Sequence, residues 1–148
     1  GEQKRVFSLI PALKNAEFAR FGVMHRNSFI DSPKLLNPDF SLRTHSNIFF
    51  AGQITGVEGY IESAASGIMA GINATRRLNN EEPLVLPQET MIGALAQYIS
   101  SSAVSDFQPM SSNFGILPPL EERIKDKKER YGKMAERSLL KLRERIKC

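Results

Sequence analysis

The sequence has little of the chemistry on which many catalytic and metal sites depend. Among its 148 residues there is no tryptophan, there are two histidines, and the single cysteine is Cys148. A lone cysteine excludes an internal disulfide framework and a CxxC metal site, and its position leaves no internal thiol nucleophile. We therefore predict no metal site and no catalytic thiol inside this chain.

Long hydrophobic runs are also missing. No stretch approaches the roughly 20 apolar residues that a membrane helix needs, and the first residues, GEQKRVF, form neither a signal run nor a cleavage site. Hydrophobic residues still make up 41% of the chain. That is enough for the core of one domain, or of one piece of a larger chain. We expect a soluble, cytoplasmic protein with no membrane partner.

Positive charge is concentrated in one segment. Residues 121–148 hold 11 Lys and Arg against 6 Asp and Glu, so they carry +5, whereas residues 1–120 carry −1. This surplus indicates either a polyanionic partner such as RNA or a solvated helix face rich in lysine. Both interpretations stay open at this point.

The first part of the chain predicts short elements. Apolar spacing over 6–10 predicts a short helix that Pro11 stops. Alternating apolar residues predict strands over 17–24 and 28–30. A proline just inside its start predicts a very short helix over 34–36.

The most informative stretch is NIFFAGQITGVEGYIESAASGIMAGINA at 47–74. The uninterrupted apolar run 48–51 is typical of a strand buried on both faces of a parallel sheet. Glycines follow, and apolar residues then recur at helical spacing, so the order is strand, glycine turn, helix. Each interior glycine costs the helix roughly 1 kcal/mol. Gly67 and Gly71 therefore indicate the close approach of another backbone or of a flat ligand.

Later segments predict helices separated by loops. Thr90 can cap a helix over 91–100. The apolar stretch 107–120 has no period and is expected to lie on the protein body rather than contact a ligand. Residues 121–147 predict one long amphipathic helix. Its expected apolar seam consists of Ile124, Tyr131, Ala135, Leu139, Leu142 and Ile146.

A glycine turn that leads into a helix suits an anionic or flat ligand. Glycines let backbone N–H groups come close, and the helix N-terminus carries roughly half a positive charge. The spacing here, GxxxGxxG, differs from the GxGxxG of a first dinucleotide-binding turn. The residues alone therefore leave two interpretations: a late element of a nucleotide-binding sheet, or a tight packing site without a ligand.

The motifs carry a specific resemblance. FFAGQITGVEGYIESAASGIMAGINA, with GVMHRNSFIDSPKLL before it and QPMSSNFGILPPL after it, closely resembles the C-terminal third of the TrmFO family. These are the bacterial folate- and FAD-dependent tRNA (uracil-5-)-methyltransferases. The similarity runs from residue 1 to about residue 120. The related MnmG family, which places a carboxymethylaminomethyl group on the tRNA wobble uridine, shares AGQxxGxxGY but lacks MHRN. It is the alternative, together with a non-enzymatic RNA-binding module.

The resemblance implies a fold and an activity. The fold is α/β and corresponds to the C-terminal part of a Rossmann-like FAD-binding domain. This part contains the final strand, the glycine turn and the helix, followed by further helices, and it is incomplete on its own. The reaction makes 5-methyluridine in the tRNA T-loop, with methylenetetrahydrofolate as one-carbon donor, FAD as cofactor and NAD(P)H as reductant. The implied partners are tRNA and the rest of the same polypeptide. The isolated chain should be inactive, because the family's cysteines lie outside it, and its exposed apolar surfaces favour self-association.

The resemblance also divides the chain and assigns residues. Residues 1–46 would end the inserted folate-side region and return to the FAD domain, 47–120 would complete that domain, and 121–148 would form the basic amphipathic helix. Folate would contact His25, Arg26 and Asn27, with the imidazole stacked on the pterin; Arg26 has the alternative of pairing with Asp31. FAD would contact Gly52, Gln53, Thr55, Gly56, Glu58, Gly59 and Tyr60, and Gly56→Val should lose it.

Overall fold

The described part of the chain is helical. The computed structural model describes residues 2–18, 28–104 and 106–146. Short 3-10 turns lie at Pro11–Leu13, Gly52–Thr55 and Phe114–Ile116. The α-helices of the described ranges are α1 (Glu2–Phe7), α2 (Ser32–Leu35), α3 (Tyr60–Leu78), α4 (Met91–Ser100) and α5 (Lys127–Ile146).

The expected final strand over 48–51 is not formed within the described residues. In the described ranges, extended backbone pairs only at isolated bridges, and Phe49 meets Ser41 alone. A strand needs a ladder of such pairs to satisfy its N–H and C=O groups. The described residues supply one bridge there, flanked by hydrogen bonds from the Leu42 N–H to the Ile48 carbonyl at 2.8 Å and from the Phe50 N–H to the Phe40 carbonyl at 3.0 Å. The run is not buried on both faces either, because Ile48 is 43% exposed. Residues 28–30 likewise form no ladder; the Ile30 N–H instead donates to the Ile54 carbonyl at 2.9 Å.

The two central helices agree with the sequence. α3 spans the predicted helical spacing and ends at Leu78, before the asparagine pair. α4 begins after Thr90, whose hydroxyl accepts a hydrogen bond from the Gly93 N–H at 3.1 Å, the predicted cap. None of the described helices is long and apolar enough to cross a bilayer.

The core lies between α3, α4 and the segment that follows α2. Buried Asn73 connects these parts: its Nδ2 donates to the carbonyls of Asp39 at 3.2 Å and Leu84 at 3.1 Å, and its Oδ1 accepts from the Leu84 N–H at 2.7 Å. A polar group this buried stabilises only because its donors and acceptor are matched. The surrounding core consists of Leu36, Phe40, Val57, Met69, Ala70, Leu86, Leu95, Ala96 and Ile99.

α5 starts later than predicted and presents a different face. The Asp126 carboxylate accepts from the Glu129 N–H at 2.7 Å, so the helix is capped there rather than at residue 121. Met134 packs with Leu117 in a second core cluster. The Arg137 guanidinium donates to the carbonyls of two consecutive prolines in the preceding loop. The buried face of α5 is therefore centred on Met134 and differs from the predicted seam. Three residues of that seam, Ala135, Leu139 and Ile146, are exposed.

Candidate functional site

The predicted glycine turn is a real turn that opens α3. Residues 52–55 form a 3-10 turn, Gly56 follows with φ +83°, and Gly59, with φ +99°, is the N-cap of α3. Residues with side chains rarely adopt these left-handed angles. The backbone path alone therefore requires glycine at Gly56 and Gly59.

Buried hydroxyls hold this turn from the inside. Ser66 Oγ accepts from the Gly52 N–H at 2.8 Å and donates to the Ser63 carbonyl at 2.7 Å. Thr55 Oγ1 donates to the Gly52 carbonyl at 2.7 Å, and Ser32 Oγ donates to the Thr55 carbonyl at 2.8 Å. The three hydroxyls, of Ser32, Thr55 and Ser66, have no exposed surface. We call these three residues the hydroxyl relay.

The sequence reasoning missed the hydroxyl relay. A serine in a helix gives little local signal, because its hydroxyl can bond to the preceding turn, as Ser66 does at the Ser63 carbonyl, and accept from a distant group as well. The relay leaves the outer side of the turn as the part open to a ligand.

The apolar loop lies on the turn, as predicted. We call residues 107–113 the covering loop; its Met110 pairs in parallel with Val57, and the two hydrogen bonds around this bridge measure 2.9 and 3.0 Å. A Cβ at Gly56 would lie 2.4 Å from Cζ of Phe107. Gly56→Val would therefore displace the protein's own aromatic ring, and its effect would not isolate a contact with flavin.

A carboxylate closes the start of α3 on one side. Glu62 Oε1 accepts from the backbone N–H of Ser112 at 3.2 Å and from its hydroxyl at 2.5 Å. The Ser112 hydroxyl, followed by the backbone N–H of Glu62 itself, lowers the pKa of this carboxyl below its ordinary 4.5. A Cβ at Gly59 would lie 2.2 Å from Glu62 Oε2. Glu62 thus folds back over the N-cap and ties the covering loop to α3.

The seven predicted flavin residues divide by exposure. Gln53, Gly59 and Tyr60 are exposed, and Tyr60 is 98% exposed. Thr55 and Gly56 are buried. The Thr55 hydroxyl is bonded within the hydroxyl relay, and the Phe107 ring packs against Gly56. The remaining two, the first glycine and Glu58, are half-buried.

The predicted folate residues His25, Arg26 and Asn27 lie outside the described residues. Asp31, the alternative partner of that arginine, binds Lys34 at 2.6 Å. The hydrogen bond to Asp31 raises the pKa of this lysine above its ordinary value.

The outer face of α3 is apolar and uncovered. Apart from the adjacent residues and the backbone of α3 itself, no atom of the described ranges lies within 4 Å of a Cβ built at Gly67 or Gly71. The close approach expected there is therefore not made by this part of the chain. Ile61 is 83% exposed and Leu78 is 84% exposed. We call this surface the open face; its members are Ile61, Ala64, Gly67, Ile68, Gly71, Ile72 and Leu78.

The geometry first defines a class of protein. A glycine turn that opens a long helix, with the helix N-terminus exposed, is how α/β proteins bind nucleotide cofactors. The chain belongs to the family described as glucose inhibited division protein A, which residues 1–82 match. This match covers more than half of the chain, and it confirms the resemblance to the group of flavoproteins that contains TrmFO and MnmG.

The most similar relatives are tRNA methyltransferases by name. The chain is 62% identical to the methylenetetrahydrofolate–tRNA-(uracil-5-)-methyltransferase TrmFO of Desulfitobacterium hafniense, over 97% of this chain and 33% of that protein. It is 63% identical to the TrmFO of Pelotomaculum thermopropionicum, over 93% of this chain and 32% of that protein. The chain therefore spans about a third of the length of these relatives.

A solved structure is also similar. Aquifex aeolicus GidA is 34% identical in sequence, with a TM-score of 0.47, over 53% of this chain and 13% of the other.

Proposed function

We propose that this chain is part of a longer polypeptide, here called the parent protein, that methylates uracil in the T-loop of tRNA in the cytoplasm. Methylenetetrahydrofolate is the one-carbon donor, FAD is the cofactor, NAD(P)H is the reductant, and the product is 5-methyluridine. The observation that carries this proposal is the 62% identity to a TrmFO over 97% of the chain. The chain alone contributes contacts and is not catalytic.

The turn fits a flavin on its outer side. The hydroxyl relay satisfies the inward polar groups, so the backbone is held without help from a ligand. At the start of α3 the Glu62 carboxylate bonds to its own backbone N–H, whereas the N–H groups of Tyr60 and Ile61 have no carbonyl partner within the helix. Gly59 and Tyr60 are exposed beside them. When bound, FAD supplies the electrons that reduce the one-carbon unit to a methyl group.

The residues of this chain would bind and orient the cofactor. Backbone N–H groups at the start of α3 stabilise negative charge on the ring through fixed dipoles. The Tyr60 ring packs beside the flavin, and its hydroxyl forms a hydrogen bond. Gln53 offers an amide from the exposed side of the turn. Thr55 and Gly56 act indirectly, by holding the turn in shape.

The folate residues and the division of the chain complete the proposal. His25 stacks on the pterin, because an imidazole supplies a second flat face at little cost in side-chain entropy. Arg26 and Asn27 bind polar groups of the same cofactor. Residues 1–46 return from the folate side, 47–120 complete the FAD domain and 121–148 form the basic helix.

The open face supports the view that more protein packs here. A contiguous apolar surface of this kind is unusual on a monomer unless something binds it. The rest of the parent protein is the occupant we propose, because two thirds of the relatives' length lies outside this chain. The same surface would drive self-association of the isolated chain.

Flavin content of the parent protein tests the cofactor site. We expect the purified protein to be yellow and Tyr60→Ala to lower its FAD occupancy severalfold. Tyr60 is 98% exposed, so its removal spares the packing of this chain. Leu140→Ala, in α5 and 55% exposed, lies outside the turn and the open face; it is the control and should keep FAD. Full occupancy in Tyr60→Ala would reject the contact.

The product nucleoside tests the activity. The parent protein, given tRNA, methylenetetrahydrofolate and NADPH, should yield 5-methyluridine at the T-loop, read by mass spectrometry of digested tRNA. A carboxymethylaminomethyl group at the wobble position would instead support the MnmG alternative. Binding of tRNA without FAD or product would support the RNA-binding module.

A further inference from the structure

A cleft lies between α5 and the loop before it. It is lined by residues 114–125 on one side and by Arg130, Tyr131 and Met134 of α5 on the other, and its volume is about 730 Å³. The side chain of Met134 is buried beneath it. The volume falls within the roughly 300–1,000 Å³ of small-ligand sites. We call it the α5 cleft.

Two stacked aromatic rings form one wall of the α5 cleft. The rings of Phe114 and Tyr131 are nearly parallel, at 9°, with centroids 4.3 Å apart. Phe114 is placed by the Asn113 side chain, which accepts from the Gly115 N–H at 2.9 Å and begins the 3-10 turn. A rigid stack of this kind binds a further flat ring at little cost in conformational entropy.

Cations surround this stack. Lys127 Nζ lies 5.6 Å and Arg130 Cζ lies 5.5 Å from the centroid of the Tyr131 ring. Arg130 is oriented by donating to the Ile124 carbonyl at 3.2 Å. Arg123 and Lys125 line the loop side, and so do Glu121 and Glu122. The charge of the lining is therefore mixed, which suits one base with its phosphate better than a continuous phosphate track.

We propose that the α5 cleft binds a single unpaired nucleotide of the tRNA, with its base stacked against the Phe114–Tyr131 pair and its phosphate held by Lys127 and Arg130. Every base has a π-face, so such a site tolerates sequence differences. The site is separate from the glycine turn and anchors the substrate rather than taking part in the reaction. This inference rests on the proposed function, because it takes tRNA as the substrate.

Filter binding of tRNA to the flavin-loaded parent protein, across a salt series, tests the site. We expect Tyr131→Ala to weaken binding by about 5- to 150-fold, the loss of one stacked base, and Tyr131→Phe to stay within about twofold of the unmodified protein. Lys127→Gln should weaken binding and lower the slope of log affinity against log salt by roughly 0.7–0.9. Its neighbour Lys128 is equally exposed but makes none of the ring contacts described for Lys127, so it is the matched control, and Lys128→Gln should change the affinity by less than twofold.

Two results would overturn the proposal. One is a Tyr131→Ala protein that binds tRNA within twofold of the unmodified protein, with unchanged melting temperature and flavin absorbance; this includes the case in which the cleft serves a protein partner. If Tyr131→Ala fails to fold, the proposal is overturned instead when Lys127→Gln and Lys128→Gln change the affinity for tRNA by the same factor. Either result can occur while the unmodified parent protein still makes 5-methyluridine, so failure of the cleft is distinguishable from failure of the proposed function.

Discussion

At the scale of single residues, the candidate site depends on side chains that face away from any ligand. Ser66 joins the turn to α3 across 14 positions of sequence, and Ser32 reaches Thr55 across 23. The glycine spacing predicted the turn and the helix that follows it, because a left-handed backbone and a helix start are local properties. The hydroxyl relay could not be predicted, because a serine has no local signal for a partner so far along the chain.

We predict that Ser66→Ala destabilises the parent protein by roughly 1–3 kcal/mol, because the half-buried Gly52 N–H would lose its acceptor and the buried space of the Ser66 hydroxyl would be left empty. Urea unfolding followed by circular dichroism measures this change in the free energy of unfolding. Thr75→Ala is the control, since the hydroxyl of Thr75 also bonds within α3, to the Gly71 carbonyl at 3.0 Å, but at an exposed position. Equal losses for the two substitutions would show that burial of the relay is not what matters.

At the scale of elements, the covering loop and α3 depend on each other. The loop has no period of its own, yet Phe107 fills the space above Gly56, and Ser112 bonds to a carboxylate 50 positions earlier. α3 and α4 could be predicted because apolar residues at helical spacing and the cap at Thr90 are local features of the sequence. The strand predicted over 48–51 is not formed within the described residues, because a strand exists only where a second one pairs with it.

The Glu62–Ser112 contact predicts a pH dependence. The pKa of Glu62 is lower in the folded protein than its ordinary 4.5, so the carboxylate form is stabilised by folding. This contribution is complete above about pH 4.5 and is lost as the pH falls through the folded value. Glu62→Gln should therefore be less stable than the unmodified protein at pH 7, and the difference should shrink below about pH 4.5.

Chemical unfolding from pH 7 to pH 3 measures this difference. Glu136→Gln, which removes an exposed carboxylate of α5, serves as the control and should show a much smaller difference at every pH. Ser112→Ala should reproduce part of the effect, since its hydroxyl is the main cause of the lowered pKa. A difference for Glu62→Gln that stays constant across this range would contradict the assignment.

At the scale of the whole molecule, the open face is the dominant feature. The described residues leave one side of α3 uncovered, with large apolar side chains and two glycines exposed there, and this supports the proposal that the rest of the parent protein packs on it. The basic helix contributes a second surface of different chemistry, with an aromatic cleft at its start. The two surfaces predict two kinds of partner: the rest of the polypeptide on α3, and RNA on α5.

We predict that Gly71→Leu and Gly132→Leu change the stability of the parent protein in opposite directions. Both glycines lie inside helices, and within the described ranges nothing approaches a Cβ at either one. Helix propensity alone would favour each substitution by up to about 1 kcal/mol. If α3 is covered, Gly71→Leu overpacks that contact and costs about 1–3 kcal/mol, whereas Gly132→Leu keeps its gain. Calorimetry would measure both melting temperatures, and a rise for both would exclude a covered α3.

The sequence by itself determined the family, the glycine turn, the two central helices and the position of the positive charge, because each is carried by neighbouring residues. Only the tertiary structure decided which side of the turn faces outward, which carboxylate and which ring close it, and which face of α5 packs. Those features depend on contacts between residues far apart along the chain, and packing rather than local preference selects among them.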